Sequence, residues 1–395
     1  MNLKKLFINL TFVCLFGLFS LFFFTFTSLT NQSKTNSNDY SVNTLQNEKN
    51  VTNILFWIKY WNDPSWYIGG DEEGEQMLQS IGCPTKKCFF THNRNYLPNI
   101  TDFDAILFHG AEYLHDSVPH ERSQHQLYVY TVLESPFLCF ENLNRFQNFF
   151  NLTMTYRFDS DIHWHYGSFF DKQTNELVAP LKMPNWKIPE NDFYDQELMK
   201  VFKNKKQKIA WFASNCNSNS KREILVSKIQ EHIQVDIYGK CGTHSCDPKS
   251  SNCDKMLTSD YMFYLSFENA LCKDYVTEKL YRPLNEIIIP IVFNGANTSL
   301  YAPPQSYIDV NDFDNVDALV THLKYLMNNP EAYIKYFWWK KHYYVVDHKP
   351  TFKKGFCDLC MKLRDKNYHN EIHSYGNIKD WWESGMCTKE SRIKF

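Results

Sequence analysis

A short segment in the second half of the chain places an ammonium and a carboxylate side by side, just after a run of strand-like apolar residues. It reads FYLSFENALCKDYVTEKLYRP and covers residues 263–283. The pattern predicts a helix that begins at Tyr275 with Asp274 as its N-cap. Glu278 and Lys279 then fall in its first turn. A lysine there opposes the helix dipole by about 0.3–1 kcal/mol, a cost that a bound diphosphate reverses. A neighbouring glutamate can accept hydrogen bonds from a ribose, so the segment predicts a nucleotide-diphosphate pocket.

The same spacing also fits a solvated helix face on which a glutamate and a lysine are incidental neighbours. The chain contains neither GxxxxGK nor GxGxxG, so the common phosphate-binding loops do not apply. The residues alone leave both interpretations open.

Apolar runs of strand length alternate with helical patterns from residue 53 onward. The clearest are NILFWIKYW, DAILFHG, LYVYTVLESP, KIAWFASNC, VDIYGKCG, YMFYLSF and IIIPIVFNG. SKREILVSKIQEH lies between two of them and predicts an amphipathic helix, which gives strand–helix–strand order. The proline-rich residues 180–189 indicate a connection between two parts. A chain of 395 residues with this alternation is predicted to form an α/β fold of two domains.

The N-terminus predicts a membrane anchor. Residues 6–29 carry no charge and follow Lys4 and Lys5. A helix needs about 20 apolar residues to cross a bilayer, whereas a cleavable signal peptide has a shorter apolar core. Lysines on the N-terminal side favour a cytosolic N-terminus. We therefore expect a cytoplasmic tail at 1–5, a transmembrane signal-anchor at 6–29 and a flexible polar stem at 30–51.

Two further features favour a lumenal, secretory location for the rest of the chain. Of the 12 cysteines, one lies in the apolar segment and 11 follow it. Candidate N-glycosylation sites occur at Asn31, Asn50, Asn99, Asn151 and Asn297. The formal charge of −2 argues against a nucleic-acid partner, which requires a basic surface. A single-pass type II protein of the Golgi membrane is the simplest interpretation.

The opening segment closely resembles the signature of the α1,3-fucosyltransferases of glycosyltransferase family 10, which are inverting enzymes that use GDP-fucose. Further matches follow in the family's order: VLESP, TYRFDSDIHWHYG, WFASNC, VDIYGKCG and YAPPQSYIDVNDF. The resemblance covers roughly residues 53–345. It implies a GT-B fold, in which two Rossmann-like α/β domains face each other across a cleft. The acceptor-binding domain would be residues 52–188, the GDP-fucose-binding domain 189–350 and a C-terminal tail 351–395.

The resemblance also assigns donor-binding residues. Asn269, Tyr275, Glu278 and Lys279 would line the donor pocket, with Lys279 on the diphosphate and Glu278 on the ribose. Arg222 stands where the family places an arginine for the same diphosphate, and a guanidinium binds phosphate oxygens in a bidentate manner. The alternative for Arg222 is an ordinary position on a helix surface.

Glu134, in LESP, is the candidate general base. Inverting transfer requires a carboxylate that takes the proton of the acceptor hydroxyl while GDP leaves from the opposite face of the sugar. Partial burial at the end of a strand would raise the pKa of Glu134. The alternative is a carboxylate that caps nearby backbone groups.

Two motifs suggest a metal by spacing alone. Asp159 and Asp161 form a DxD triplet, and His163 and His165 form HWH. Because GT-B enzymes bind the diphosphate with Lys and Arg, we expect structural roles and no metal site. No cofactor is expected for the chemistry, and Mn²⁺ is left open as a stimulant.

The pair Cys357 and Cys360 would by spacing fit a redox motif or half of a zinc site, but neither context is present. In the resembled family such a pair bridges to cysteines near the start of the catalytic region, and Cys83 and Cys88 match that place. The connectivity stays open.

The expected reaction is transfer of L-fucose from GDP-fucose to O3 of N-acetylglucosamine, either in the N-glycan core or in N-acetyllactosamine-type antennae. The family usually has a histidine at Cys272, and many animal relatives have a His-His-Arg run where this chain has FHGAE. These departures leave the acceptor open. The alternative function is a catalytically silent Golgi protein that binds glycans or escorts another transferase.

Overall fold

Two parallel β-sheets organise the part of the chain that the structure, a computed structural model, describes. That part comprises residues 51–66, 74–112, 118–139, 142–246, 252–365 and 374–394. The predicted cytoplasmic tail and signal-anchor lie outside the described residues, as do Asn31, Asn50 and all of the predicted stem except its last residue. Within the described ranges, no helix combines the length and apolar character that a membrane span requires.

In chain order the strands are β1 (Thr52–Phe56), β2 (Cys88–Thr91), β3 (Ala105–His109), β4 (Leu127–Val132), β5 (Leu152–Thr155), β6 (Ile162–His163), β7 (Ser168–Asp171), β8 (Leu177–Ala179), β9 (Gln207–Phe212), β10 (Val235–Tyr238), β11 (Tyr261–Phe267), β12 (Leu271–Cys272), β13 (Ile289–Phe293), β14 (Ile308–Asp309), β15 (Tyr343–Val346) and β16 (Cys387–Thr388). The α-helices are α1 (Gly74–Ser80), α2 (Gln196–Asn204), α3 (Arg222–Gln230), α4 (Asn252–Ser259), α5 (Glu278–Asn285), α6 (Val316–Asn328), α7 (Pro330–Ile334), α8 (His348–Leu363) and α9 (Ile378–Glu383). Short 3₁₀ helices span Ile100–Asp102, Pro136–Leu138, Leu143–Arg145, Thr298–Leu300, Val310–Asp312 and Lys335–Lys341.

The first sheet has strand order β2-β1-β3-β4-β5-β6, and every neighbouring pair is parallel. Its central strands β3 and β4 are buried at every residue. Parallel strands are covered on both faces, which explains why these strands read as nearly continuous apolar runs. Glu134 follows β4, so it lies at the carboxyl edge of this sheet.

The second sheet has strand order β10-β9-β11-β13-β14 and is also parallel throughout. The central strand β11 is buried along its whole length. Helix α5 packs against β11 and β13, and Leu280 and Leu284 are buried there. The predicted mixed α/β fold is confirmed, and Asn269 follows the carboxyl end of β11 as the sequence indicated.

The C-terminal part of the chain returns to the first sheet. Strand β15 pairs with β7 in a small antiparallel sheet, and α8 packs against α1 and β6. Disulfides join Cys83 to Cys357 and Cys88 to Cys360, which are the four cysteines that the family resemblance selected. Three further bridges did not figure among the sequence-based expectations: Cys216–Cys241, Cys246–Cys253 and Cys272–Cys387.

Candidate active site

The backbone between β11 and α5 differs from the sequence-based prediction. Helix α5 begins at Glu278, not at Tyr275, and its N-cap is Thr277, whose side chain accepts a hydrogen bond from the Lys279 N–H. Asp274 has φ 62°, a left-handed conformation that aspartate tolerates. The predicted cap was therefore wrong by three residues, although aspartate and threonine are both good caps.

Glu268 explains why Thr277 is the cap. Its Oε1 accepts hydrogen bonds from the backbone N–H and the hydroxyl of Thr277, each at 2.8 Å. These bonds fix the start of α5 against the end of β11. Tyr275 is consequently left outside the helix, and its side chain is directed toward the first sheet.

Lys279 lies in a compact group of charges at the start of α5. Its Nζ is 3.2 Å from Glu268 Oε2, 3.2 Å from Glu278 Oε1 and 2.8 Å from the Thr277 hydroxyl. Burial lowers the pKa of Lys279, but the two carboxylates outweigh burial and hold that pKa above its ordinary value. Burial raises the pKa of Glu268, against the opposing effect of Lys279. Lys279 is therefore a permanently charged, partly exposed cation.

Four of the predicted donor residues line one cleft of about 370 Å³, namely Arg222, Asn269, Glu278 and Lys279. The cleft lies at the carboxyl ends of β9, β10 and β11, where open α/β sheets bind ligands. A larger cleft of about 850 Å³ lies near β13 and β14, but it holds none of the predicted catalytic or donor residues. We assign the site to the smaller cleft because it contains the cations that a diphosphate requires.

Arg222 is the first residue of α3 and is only 2% exposed. Its Nη1 donates to the Phe267 carbonyl at 2.5 Å, and its Nη2 donates to the Asn215 carbonyl at 3.1 Å. Among the described residues, neither Arg222 Nε nor the Oδ1 of Asn269 has a hydrogen-bond partner, although both atoms are buried. Arg222 is thus no helix-surface residue, and the cleft contains polar groups that a ligand could satisfy.

Tyr275, the fifth predicted donor residue, does not line this cleft, but it contacts the candidate base Glu134. The fully buried Tyr275 donates its hydroxyl hydrogen bond to Glu134 Oε2 at 3.1 Å. The Tyr166 hydroxyl donates to the carbonyl of Leu133 at 2.7 Å and thereby fixes the backbone next to Glu134. Burial raises the pKa of Glu134, and the charge of Lys279 and the hydrogen bond from Tyr275 partly oppose that rise. A carboxylate with a raised pKa is a better proton acceptor near neutral pH.

The DxD and HWH motifs make hydrogen bonds within the protein. Asp161 Oδ2 accepts from the Thr153 N–H at 2.9 Å and from the Tyr375 hydroxyl at 2.8 Å. Asp159 pairs with the buried guanidinium of Arg157. His163 Nε2 lies 3.0 Å from the Tyr156 carbonyl oxygen, and burial lowers the pKa of His163 to about 4. In the described ranges, no group of three or more His, Cys, Asp or Glu side chains is arranged to hold a metal ion.

Two residues of the site carried no role in the sequence-based prediction. Glu268 is 2% exposed and organises the start of α5, and Arg282 lines the cleft one turn after Lys279. A carboxylate directly after a largely apolar strand was the signal that could have found Glu268, because a buried charge requires a partner. Arg282 carried no such signal, since it reads as an ordinary polar position on an amphipathic helix.

We expect the folded protein to carry glycans at Asn99 and Asn297 but not at Asn151. The first two side chains are exposed, whereas Asn151 is 7% exposed and its Oδ1 accepts from the Tyr128 N–H at 2.9 Å. Peptide mapping after enzymatic deglycosylation of protein from a eukaryotic secretory host measures occupancy. Asn99→Gln and Asn297→Gln should each remove one glycan, and Asn151→Gln should remove none. A glycan at Asn151 in folded protein would contradict this expectation.

Comparison with known proteins gives consistent matches over most of the chain. The profile described as glycosyltransferase family 10 (fucosyltransferase) C-term matches residues 202–381, and the profile described as fucosyltransferase, N-terminal matches residues 49–167. The chain is 41% identical over 344 residues to alpha-(1,3)-fucosyltransferase C of Drosophila melanogaster, a match that covers 86% of this chain and 80% of that protein. It is 36% identical over 303 residues to alpha-(1,3)-fucosyltransferase fut-1 of Caenorhabditis elegans, and this match covers 75% of this chain and 64% of that protein. A crystal structure of alpha1,3-fucosyltransferase with GDP-fucose matches 82% of this chain and 93% of its own, with a TM-score of 0.49 and 18% identity.

Proposed function

The chain belongs to glycosyltransferase family 10, the fucosyltransferases, and we propose that it transfers L-fucose from GDP-fucose to O3 of N-acetylglucosamine with inversion. The observation that carries this proposal is the hydrogen bond from Tyr275 to Glu134. Tyr275 lies in the loop that leads from β11 into α5. The charges of Lys279 and Glu278, which line the cleft, also act on Glu134, so the candidate base lies near the candidate donor site. A GT-B arrangement, with acceptor and donor on opposite sides of a cleft, is the fold that this proposal implies.

The donor diphosphate would bind Lys279 and the first turn of α3, which Arg222 begins. Lys279 carries a permanent charge, and the buried Nε of Arg222 is a further donor beside the cleft. Burial alone raises the pKa of Glu278, but Lys279 outweighs burial and holds that pKa below its ordinary value. Glu278 is therefore ionised and can accept hydrogen bonds from the ribose hydroxyls.

Glu134 would act as the general base. Its carboxylate removes the proton from the acceptor O3 hydroxyl as that oxygen forms a bond to C1 of fucose and the bond from C1 to the GDP oxygen breaks. Lys279 then stabilises the negative charge that develops on the leaving diphosphate. Because attack and departure occur on opposite faces of the sugar, the configuration at C1 is inverted. No metal or cofactor enters these steps, and Mn²⁺ would act only as a stimulant.

The location of the protein belongs to the same proposal. The uncharged residues 6–29 after Lys4 and Lys5 support a single-pass type II protein of the Golgi membrane, with the catalytic region in the lumen. The five disulfides of the described residues are typical of that oxidising side of the membrane.

The test is mass spectrometry of products after purified full-length protein is incubated with GDP-fucose and defined N-glycans. We expect a gain of one fucose on a core or antennal N-acetylglucosamine, and linkage analysis should place it at O3. A panel that separates core acceptors from N-acetyllactosamine acceptors decides between the two targets. If no acceptor in that panel gained fucose and no GDP was released, the proposal would be refuted.

Replacing Tyr275 with phenylalanine should move the acid limb of the kcat/KM profile to higher pH. The base must be deprotonated, and the Tyr275 hydrogen bond lowers the pKa of Glu134, so removing the bond raises that pKa further. As the pH is lowered, kcat/KM of the variant should therefore begin to fall at a higher pH than kcat/KM of the wild type. Tyr325→Phe, at a half-exposed tyrosine on α6, is the matched control and should leave the profile unchanged. An acid limb that stays in place, or moves to lower pH, would show that Tyr275 does not lower the pKa of the catalytic base.

A further inference from the structure

The donor cleft continues beyond Lys279 to an end lined by a second pair of opposite charges. Arg282 lies one turn further along α5, and its Nε is 3.4 Å from Asp254 Oδ1 on α4. Both side chains are accessible, at 37% and 45% exposure. Tyr238 and Phe212 line the same end of the cleft. This end therefore combines aromatic rings with one acceptor group and one donor group.

Several contacts hold these groups in place. Asp254 stands in the first turn of α4, directly after Cys253, which is bridged to Cys246. The Tyr238 hydroxyl is 2.8 Å from the hydroxyl of Tyr261, and Arg282 lies over the Phe212 ring at 5.7 Å from its centroid. Asp254 thus follows a disulfide-bridged residue at the start of α4, and Arg282 lies over an aromatic ring at the end of β9.

Glu278 and Arg282 are placed on α5 so that they could contact two neighbouring parts of a nucleoside diphosphate. Glu278 and Arg282 are four residues apart and share one face of the helix, separated by about 6 Å of axial rise. If Lys279 contacts the diphosphate and Glu278 the ribose, the next turn is the position for the base. This step rests on the proposed function, which makes GDP-fucose the donor.

Guanine has a hydrogen-bonding edge that such a pair complements. It carries two adjacent donors, N1–H and the exocyclic amine, next to two acceptors, O6 and N7. A carboxylate accepts two parallel hydrogen bonds, and a guanidinium donates two. Adenine would place its own amine against the guanidinium, and uracil lacks a second adjacent donor.

We propose that Asp254 and Arg282 recognise the guanine base of the donor. Asp254 accepts from N1–H and the exocyclic amine, and Arg282 donates to O6 and N7. The two residues are thus specificity-determining groups for the nucleotide, distinct from the groups that contact the diphosphate and the ribose.

The experiment is titration calorimetry of purified full-length protein with GDP, IDP and UDP. IDP lacks only the exocyclic amine of guanine, and UDP keeps the diphosphate and ribose but has a different base. Wild-type protein should bind GDP about tenfold or more tightly than IDP. Asp254→Asn should weaken the binding of GDP about 10–100-fold and that of IDP by a smaller factor. The ratio of the GDP affinity to the IDP affinity should therefore fall toward one, while the affinity for UDP is unchanged.

A second variant and a control separate base recognition from general damage. Arg282→Ala should weaken GDP and IDP by the same factor, because both bases carry O6 and N7. Asp317→Asn removes the same charge at an 83% exposed position on α6 and should change nothing. An unchanged ratio of GDP to IDP in Asp254→Asn, or an equal loss of all three nucleotides, would overturn this inference alone. Wild-type protein that binds no GDP would overturn the proposed function as well.

Discussion

Replacing Glu134 with glutamine is expected to lower kcat by about 10²–10⁴-fold while the affinity for GDP stays within about threefold of wild type. Glutamine keeps the shape of the side chain and can still accept the Tyr275 hydrogen bond, but it cannot take a proton from the acceptor hydroxyl. In the proposed function GDP binds through side chains of α5 and α3, which this change does not alter. Product formation measures the first expectation and titration calorimetry the second.

The matched control for that variant is Glu197→Gln on α2, where the carboxylate is 77% exposed and pairs only with Lys200 in the described part of the chain. It should retain full activity and full GDP affinity. If Glu134→Gln kept wild-type turnover, Glu134 would not be the base, and the proposed mechanism would lose its proton acceptor. If it instead lost GDP binding, Glu134 would belong to the donor site.

Replacing Lys279 with methionine is expected to weaken GDP binding about 10–100-fold, since charge-assisted hydrogen bonds contribute about 1.5–3 kcal/mol. Methionine fills the volume of the lysine stem but removes the cation that faces the cleft. The GDP-fucose KM should rise accordingly. Lys341→Met is the control, because Lys341 is 51% exposed and pairs with Glu190 at 2.9 Å outside the cleft. If Lys279→Met bound the donor with unchanged affinity, Lys279 would not be a ligand of the diphosphate.

The same variant should make stability depend on pH in a defined direction. Lys279 lowers the pKa of the buried Glu268, so without Lys279 that pKa rises further above its value in the unfolded chain. A carboxyl group with a raised folded-state pKa favours the folded state only while it is protonated. The free energy of unfolding of Lys279→Met should therefore fall, relative to wild type, as pH increases from below the unfolded-state pKa through the raised one. Thermal unfolding at a series of pH values measures this. A difference between variant and wild type that is constant with pH would contradict it.

The sequence predicted the strands and the alternation well because the central strands are covered on both faces. Strands β3, β4, β11 and β13 are buried at every residue, so their apolar runs are nearly continuous. The family resemblance supplied Arg222, Asn269, Glu278 and Lys279, which the structure brings to one cleft. It also supplied Glu134 and Tyr275, which the structure joins by a hydrogen bond.

What the sequence could not supply depends on contacts between distant residues. The start of α5 is decided by Glu268, nine residues before Thr277, and local capping preference does not contain that contact. Arg282 on α5 pairs with Asp254 on α4, and the sequence pattern of each helix gives no information about contacts between the two helices. The partner of Cys272 lies 115 residues away, so no spacing rule could have identified it.

The pairing of β12 with β16 has a consequence for biosynthesis. The backbone between Asn269 and Tyr275 is held by Cys387 and Thr388, through both a disulfide and strand hydrogen bonds. The ribosome must therefore synthesise residues 387 and 388 before the loop beside the proposed donor cleft can form these contacts. Nascent chains that stop short of residue 387 would contain every proposed catalytic group and still lack the strand that holds this loop.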